Sequence, residues 1–247
     1  MASDDEGRFE GQPARSPRST ATGRLMLWSG LLVVYGNGVA LADRYLFPGV
    51  WPFAAVLGPV FVALLILAAL RRERIAWKEL GIHTSGAISA GALGLLAGLA
   101  LAGAALLFLR LPVAVQEPVT YRLLADATAV DKLVRILVTM PLDTVFPEEV
   151  AFRGLLLALF LRHMTARAAV LRSSIVFMLW HAVVNYHTVS NTNLGEAPML
   201  LALGVAGAHI AVFIGGVAFC LLRLRTRHVA APLVAHWAVN GGILLGV

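Results

Sequence analysis

Seven apolar runs, separated by short polar segments, constrain the fold of this 247-residue chain more than any other feature. Hydrophobic residues make up 59% of the sequence and charged residues only 14%, and the mean hydropathy is +0.79. Because a helical membrane span needs about 20 apolar residues, seven spans leave no room for a sizeable soluble domain. We therefore expect an all-α fold, a polytopic bundle of transmembrane helices. The runs cover residues 25–42, 53–70, 86–109, 133–161, 168–188, 198–222 and 229–247.

The number of spans depends on how the fourth run is built. It contains Pro141 and Pro147, which predict either one kinked span or two shorter helices. We expect seven spans, or eight if a further helix or a re-entrant segment is present. Residues 1–24 are polar, rich in Ser, Pro and Gly, and without periodicity. They predict a disordered tail that precedes a transmembrane domain of residues 25–247.

Basic residues alternate between the connections, and this alternation predicts the orientation. The loop 187–197 has no Lys or Arg, whereas the connections after the second, fourth and sixth runs are basic. By the positive-inside rule the N-terminus is cytoplasmic, in an integral protein of the cell's inner or plasma membrane. The formal net charge of +6 is explained by topology, so no nucleic-acid partner is indicated. The clusters comprise Arg71, Arg72, Arg74 and Lys78, then Arg162, Arg167 and Arg172, then Arg223, Arg225 and Arg227.

Three charged residues lie within the fourth apolar run: Glu148, Glu149 and Arg153. A charge at bilayer depth costs at least about 2.5–3.5 kcal/mol, and such residues usually mark function. Glu149 and Arg153 stand at i and i+4 with the acid first, the favourable order for an ion pair. Glu148 has no local partner. We therefore interpret Glu149–Arg153 as a structural brace and Glu148 as the reactive group.

The fifth and seventh runs each carry a histidine and an asparagine four residues apart, which places both on one helix face. The pairs are His181 with Asn185 and His236 with Asn240. Counting inward from the cytoplasmic helix ends places Glu148 at roughly 20 Å, His181 at about 16 Å and His236 at about 10 Å. We expect these groups to form one polar layer in the cytoplasmic half of the membrane. Taken singly, each could instead bond a neighbouring helix.

Three motifs follow one another on separate apolar helices: Glu-Glu-x-x-x-Arg, Phe-x-x-x-His and His-x-x-x-Asn. This order resembles the CPBP family of intramembrane proteases, which comprises CAAX proteases, bacteriocin-processing proteins and Rce1-type prenyl endopeptidases. The resemblance covers about residues 130–247. It implies an intramembrane endopeptidase whose substrate is a membrane-associated, in some members prenylated, protein or peptide within the lipid bilayer. The catalytic residues that it implies are Glu148, Glu149, Arg153, His181, His236 and Asn240.

The same resemblance implies a role for each group. Glu148 with His181 would activate a water for attack on a peptide carbonyl, and Arg153 would orient Glu149. His236 and Asn240 would donate hydrogen bonds to the oxyanion. This mechanism needs no cofactor. A His2Glu zinc site built from Glu148, His181 and His236 remains open, although the sequence contains no His-Glu-x-x-His helix.

Two other classes of function compete with the protease. Intramembrane Glu, Arg and His also form proton relays, so a proton-coupled transporter is one alternative. The sequence contains no internal repeat of the kind that common carriers have. The other alternative is a non-catalytic membrane scaffold that keeps the fold and binds a client helix or a lipidated peptide. Substitution of Glu148 separates the scaffold, which would keep its function, from the protease, which would lose it.

Overall fold

A computed structural model describes residues 17–45, 51–111 and 117–246 of the chain. Within these residues the structure consists of helices and loops, and the β-type pairing is limited to one isolated bridge between Tyr121 and Thr192. The predicted all-α fold class is thus confirmed. Seven of the helices are α1 (Pro17–Tyr45), α2 (Trp51–Arg72), α3 (Ala87–Arg110), α5 (Ala166–Trp180), α6 (Ala182–Ser190), α7 (Pro198–Thr226) and α8 (Ala230–Gly246).

Helix α4, over residues 129–161, is one continuous run rather than two shorter helices. Pro141 begins its second π-helical segment, and Pro147 lies in the turn that follows. Because proline has no N–H to give to the residue four positions back, a locally wider helix accommodates both prolines without a break. The α-helical segments are Ala129–Val134, Phe146–Glu149 and Leu157–Leu161, and the π-helical ones Arg135–Thr139, Pro141–Val145 and Val150–Leu156.

The first described helix begins inside the predicted polar tail of residues 1–24. Helix α1 begins at Pro17, so residues 17–24 form its first two turns. Proline is favoured in the first turn of a helix, where its missing N–H costs nothing. Hydropathy could not locate this start, because the segment is helical but polar. Residues 1–16 of the predicted tail lie outside the described residues.

Three helices of the described chain are long and apolar enough to cross a membrane: Ala21–Arg44, Ala87–Arg110 and Pro198–Thr226. Helices α5 and α6 would together make a fourth span, bent by 51° at the junction between them. By length and composition, this is the pattern of an integral membrane protein.

Helix α3 packs against α8 through a stripe of small residues. Ala90, Gly94, Gly98 and Ala102 recur every fourth residue and are buried. A Cβ atom on Gly94 would overlap the carbonyl oxygen of Ala231, so the two backbones are in direct contact there. Stripes of this kind let membrane helices approach closely. Since α8 carries His236, this contact fixes the position of that side chain.

Helix α4 lies at the centre of the bundle. Every residue from Val150 to Leu156 is buried, and the main apolar cluster surrounds this part of the helix with residues of α1, α2 and α5. Charged side chains on α4 must therefore find their partners inside the protein rather than in solvent.

The end of α4 is tied to the loop that follows α2. Arg162 donates to both carboxylate oxygens of Glu79, at 2.8 and 2.7 Å, and to the carbonyl of Glu73 at 2.6 Å. The hydrogen bonds from Arg162 lower the pKa of the Glu79 carboxyl below its usual range. This pair is partly exposed, in contrast to the charges further along the helix.

Candidate active site

Glu149 is buried and accepts two hydrogen bonds at one carboxylate oxygen, whereas its Oε2 has no hydrogen-bond partner among the described residues. Its Oε1 accepts a hydrogen bond from Nη1 of Arg153 at 2.9 Å and another from Nδ1 of His236 at 2.8 Å. The predicted i, i+4 pair is formed, and Glu149 and Arg153 are both fully buried. Because buried charges are tolerated only when they are paired, this cluster binds α8 to α4 at one point.

Aromatic rings enclose the guanidinium of Arg153. Its Cζ lies 4.0 Å from the ring centroid of Phe177 on α5 and 5.1 Å from that of Phe219 on α7. Nε and Nη2 of Arg153 have no hydrogen-bond partner among the described residues. Cation–π contacts, which are worth about 2 kcal/mol when desolvated, partly offset that loss. Phe219 also stacks on His236 at 5.2 Å, so four helices meet around this cation.

Glu148, the preceding residue, is buried but incompletely bonded. Its Oε1 accepts from Nε1 of Trp180 at 3.3 Å. Its Oε2 lies 3.5 Å from Nε2 of His181 and has no hydrogen-bond partner among the described residues. Leaving a buried acceptor unsatisfied costs about 1–3 kcal/mol, and catalytic groups are a common reason for such a cost.

His181 occupies the break between α5 and α6. Its backbone, at φ −89° and ψ 8°, lies in the sparsely populated bridge region where many active-site residues are found. Nδ1 lies 2.9 Å from the carbonyl oxygen of Phe177 and donates its proton there. This hydrogen bond fixes the ring so that Nε2 faces Glu148. The side chain is therefore oriented by its own helix towards the open carboxylate oxygen.

The two asparagines are placed differently from their histidines. Asn240 is half-buried, one turn beyond His236, and its side chain makes no hydrogen bond to another described residue. Asn185, one turn beyond His181, is buried, and its amide nitrogen has no partner within the described chain. The structure thus brings five predicted site residues into two adjoining groups, Glu149 with Arg153 and His236, and Glu148 with His181. Asn240 lies beside these groups without bonding to them.

Two side chains of the site were not predicted from the sequence. Trp180 directly precedes His181, but tryptophan in a membrane helix ordinarily indicates an interfacial position, so the residue carried no specific signal. Phe219 lies on α7, outside the three motifs, and no pattern distinguished it from core packing. Both contacts arise only when helices distant in sequence pack together.

The donor set does not fit a metal site. Among the described residues, no group of three His, Cys, Asp or Glu side chains is arranged to hold a metal ion. His181 faces Glu148, whereas Nδ1 of His236 is bonded to Glu149. The three side chains of the His2Glu set considered from the sequence are therefore not assembled around one point.

Comparison with known proteins gives one family match. Residues 130–242 match the model of the family described as "Type II CAAX prenyl endopeptidase Rce1-like". No curated protein and no solved structure matched the chain. The matched stretch contains both buried glutamates and both histidines of the site. With these motifs on apolar helices, residues 130–242 form an Rce1-like domain, which supports membership of the CPBP family.

Proposed function

We propose that this protein is an endopeptidase that hydrolyses a peptide bond of a membrane-associated protein or peptide within the bilayer. The observation that carries the proposal is the open oxygen of Glu148, buried among apolar helices and 3.5 Å from a histidine of another helix. A general base must lie within reach of the proton that it abstracts, and a buried carboxylate facing a histidine meets that requirement. The Rce1-like match supports the peptidase class.

Glu148 is the proposed general base. Its Oε2 takes a proton from a water molecule while the water oxygen bonds to the scissile carbonyl carbon. The C–N bond then breaks, and the same proton passes to the leaving amine, with Nε2 of His181 within reach of the transfer. Trp180 holds the other carboxylate oxygen and so fixes the rotation of the group. This sequence of steps requires no cofactor.

The neighbouring cluster would stabilise the oxyanion. Glu149 is bonded to two potential cations, Arg153 and His236, so with His236 protonated the cluster carries a net positive charge that favours a developing negative charge nearby. Nδ1 of His236 is engaged by Glu149, and the Nε2–H of the imidazolium would donate to the oxyanion. The side-chain amide of Asn240, one turn further along α8, would be the second donor.

The proposed topology has seven spans, formed by α1, α2, α3, α4, the bent pair α5–α6, α7 and α8. These helices coincide with the seven apolar runs of the sequence. The basic clusters at the ends of α2, α4 and α7 favour a cytoplasmic N-terminus and a site in the cytoplasmic half of the inner or plasma membrane. The substrate would enter from the membrane, and a prenylated C-terminal peptide is the first candidate because of the family description.

The deciding experiment assumes no substrate. The ends of membrane-protein peptides are compared by mass spectrometry in cells that produce the wild type or Glu148→Gln at matched levels. Glutamine keeps the shape but cannot act as a base, so cleavage should slow by about 10²–10⁴-fold. New termini should therefore appear with the wild type alone, and these termini identify the substrate.

Glu196→Gln, at an exposed position of the same domain, is the matched control and should leave the termini unchanged. The thermal midpoint of Glu148→Gln should not fall below that of the wild type, because the variant loses no complete ion pair. Identical termini in wild type and Glu148→Gln cells, with the phenotype retained in both, would refute the protease and favour a scaffold. Loss of the phenotype without any change in termini would favour transport.

A further inference from the structure

A side chain of α1 is inserted into the break between α5 and α6. Nδ2 of Asn37 donates to the carbonyl oxygen of Leu179 at 2.9 Å, and Oδ1 accepts from the backbone N–H of Val183 at 2.9 Å. In an uninterrupted α-helix, the N–H of residue 183 would bond directly to the carbonyl of residue 179. The carboxamide of Asn37 thus replaces one backbone hydrogen bond of the helix with two hydrogen bonds of its own.

This insertion explains how a bent helix is tolerated in an apolar setting. Each unsatisfied backbone group in a membrane costs several kcal/mol, so the N–H and C=O freed at the bend need new partners. Asn37 supplies both a donor and an acceptor, which few side chains can do. Sharp kinks are known where a side chain enters the hydrogen-bond ladder, and the helix axis here turns by 51°.

The residues that precede Asn37 contact the same break. At Gly36 a Cβ atom would overlap the indole of Trp180, so α1 lies directly against that ring. Tyr35 lies 5.8 Å from Trp180 and stacks on Phe61 of α2 at 3.6 Å. Three consecutive residues of α1 therefore surround the segment that carries both side chains facing Glu148, Trp180 and His181.

We infer that Asn37, which lies outside the family match, is a positioning residue of the active site. Its carboxamide keeps the α5–α6 junction bent, and the bend places Trp180 and His181 against the two oxygens of Glu148. Without the carboxamide, Leu179 and Val183 would bond to each other, α5 and α6 would straighten, and His181 would leave Glu148. The effect on catalysis rests on the proposed function, whereas the effect on the bend does not.

The activity test uses substrates that are still intact. Membranes from cells producing Glu148→Gln are dissolved in mild detergent, purified enzyme is added, and the appearance of new termini is followed by mass spectrometry. Asn37→Leu keeps the side-chain volume without hydrogen bonds and should lower the maximal rate about 10- to 100-fold, as expected for an ångström-scale misplacement. The membrane concentration that gives half-maximal rate should not change.

Ser29→Ala is the matched control, because the hydroxyl of Ser29 donates to the carbonyl of Leu25 in its own helix, at 2.8 Å. It should cleave at the rate of the wild type.

Asn37→Asp adds a pH profile, a measurement that a merely structural role of Asn37 would not change. Its carboxylic acid can both donate and accept, whereas its carboxylate can only accept. The rate of Asn37→Asp relative to wild type should therefore rise as the pH falls, while that of Asn37→Leu stays constant.

The bend itself is measured without any substrate. Nitroxide labels are placed at the exposed positions of Tyr186 on α6 and Ile210 on α7, in a Cys220→Ala background. Straightening a 51° bend moves a residue five positions beyond the break by about 6 Å sideways, which electron–electron double resonance resolves. The distance should change in Asn37→Leu and not in Ser29→Ala.

An unchanged distance in Asn37→Leu would overturn the inference, whatever the rate. A wild-type rate in that variant would also overturn it. If the wild-type enzyme itself produced no termini, the proposed function would fail, and the label distance would still decide whether Asn37 sets the bend.

Discussion

Glu149 accepts hydrogen bonds from Arg153 and His236, whereas Glu148, the residue before it, accepts one from Trp180. In both glutamates Oε2 has no hydrogen-bond partner among the described residues, so the two side chains differ in their neighbours. Successive residues of a helix point about 100° apart, so the two carboxylates face different neighbours although both are buried. Glu149 faces α8 and the guanidinium of its own helix. Glu148 faces the break between α5 and α6.

The comparison teaches that one buried helix can supply two kinds of carboxylate. A carboxylate that accepts hydrogen bonds from two buried donors is expensive to disturb and contributes to the structure of the bundle. The open oxygen of Glu148 lies 3.5 Å from Nε2 of His181, so this carboxylate faces a ring that can exchange protons with it. The division between brace and reactive group follows from their partners and not from the residue type.

Replacing Glu149 should have the largest effect, because Arg153 and His236 both lose their hydrogen-bond acceptor. Glu149→Leu leaves Arg153 buried without its anion and should lower the free energy of unfolding by about 3–5 kcal/mol, with loss of cleavage. Thermal unfolding in detergent measures the stability. The double variant Glu149→Leu with Arg153→Met should recover most of the stability and none of the activity. A single variant as stable as the wild type would contradict the structural role of Glu149.

Replacing Trp180 tests the other carboxylate and should have an intermediate effect. Trp180→Phe removes the indole donor of Glu148 and keeps the aromatic packing. A hydrogen bond to a charged group contributes about 1.5–3 kcal/mol, so the maximal rate of cleavage should fall roughly tenfold or more. Trp28→Phe is the control, since Trp28 donates to Glu73 at 3.2 Å outside the site. Equal rates in both variants would mean that Trp180 does not orient Glu148.

The Glu79–Arg162 pair is the solvent-accessible counterpart of Glu149–Arg153 and should have the smallest effect. Hydrogen bonds from Arg162 lower the pKa of the Glu79 carboxyl in the folded protein. Its stabilisation is therefore present above the unfolded pKa and is lost as the pH falls through the folded pKa. Glu79→Gln should cost at most about 1 kcal/mol near neutral pH.

Thermal midpoints at about pH 7 and about pH 3 provide the measurement, because the second value lies below the ordinary carboxyl range. The midpoints of wild type and Glu79→Gln should converge in acid. A difference that persists unchanged at the lower pH would show that Glu79 acts through its shape and not through its charge.

The local part of the site could be predicted from the sequence, because helix geometry alone determines it. The spacing of Glu149 and Arg153 predicts their ion pair without reference to any other helix. The pairing of Glu149 with His236 could not be obtained in this way, since the two residues are 87 positions apart and meet only through packing. The contact of Trp180 with Glu148 escaped for the same reason.

The fold, too, could be predicted from the sequence only in part. Hydropathy located the helices well, because a buried helix must be apolar. It gave no indication of the π-helical segments of α4 or of the break at His181, which depend on individual backbone hydrogen bonds. The break in particular depends on Asn37, a polar residue of α1 that is far from its partners along the chain.

The glycine stripe of α3 has a consequence for how this protein can be divided. The family match begins at residue 130, yet α8 rests on Gly94 and Gly98, and α5 and α6 rest on α1. The stretch that matches the family model is therefore shorter than the part of the chain that packs into one bundle. A chain trimmed to the match, or a chimera with foreign leading helices, would keep every side chain of the candidate site and lose the surfaces that position its two histidines.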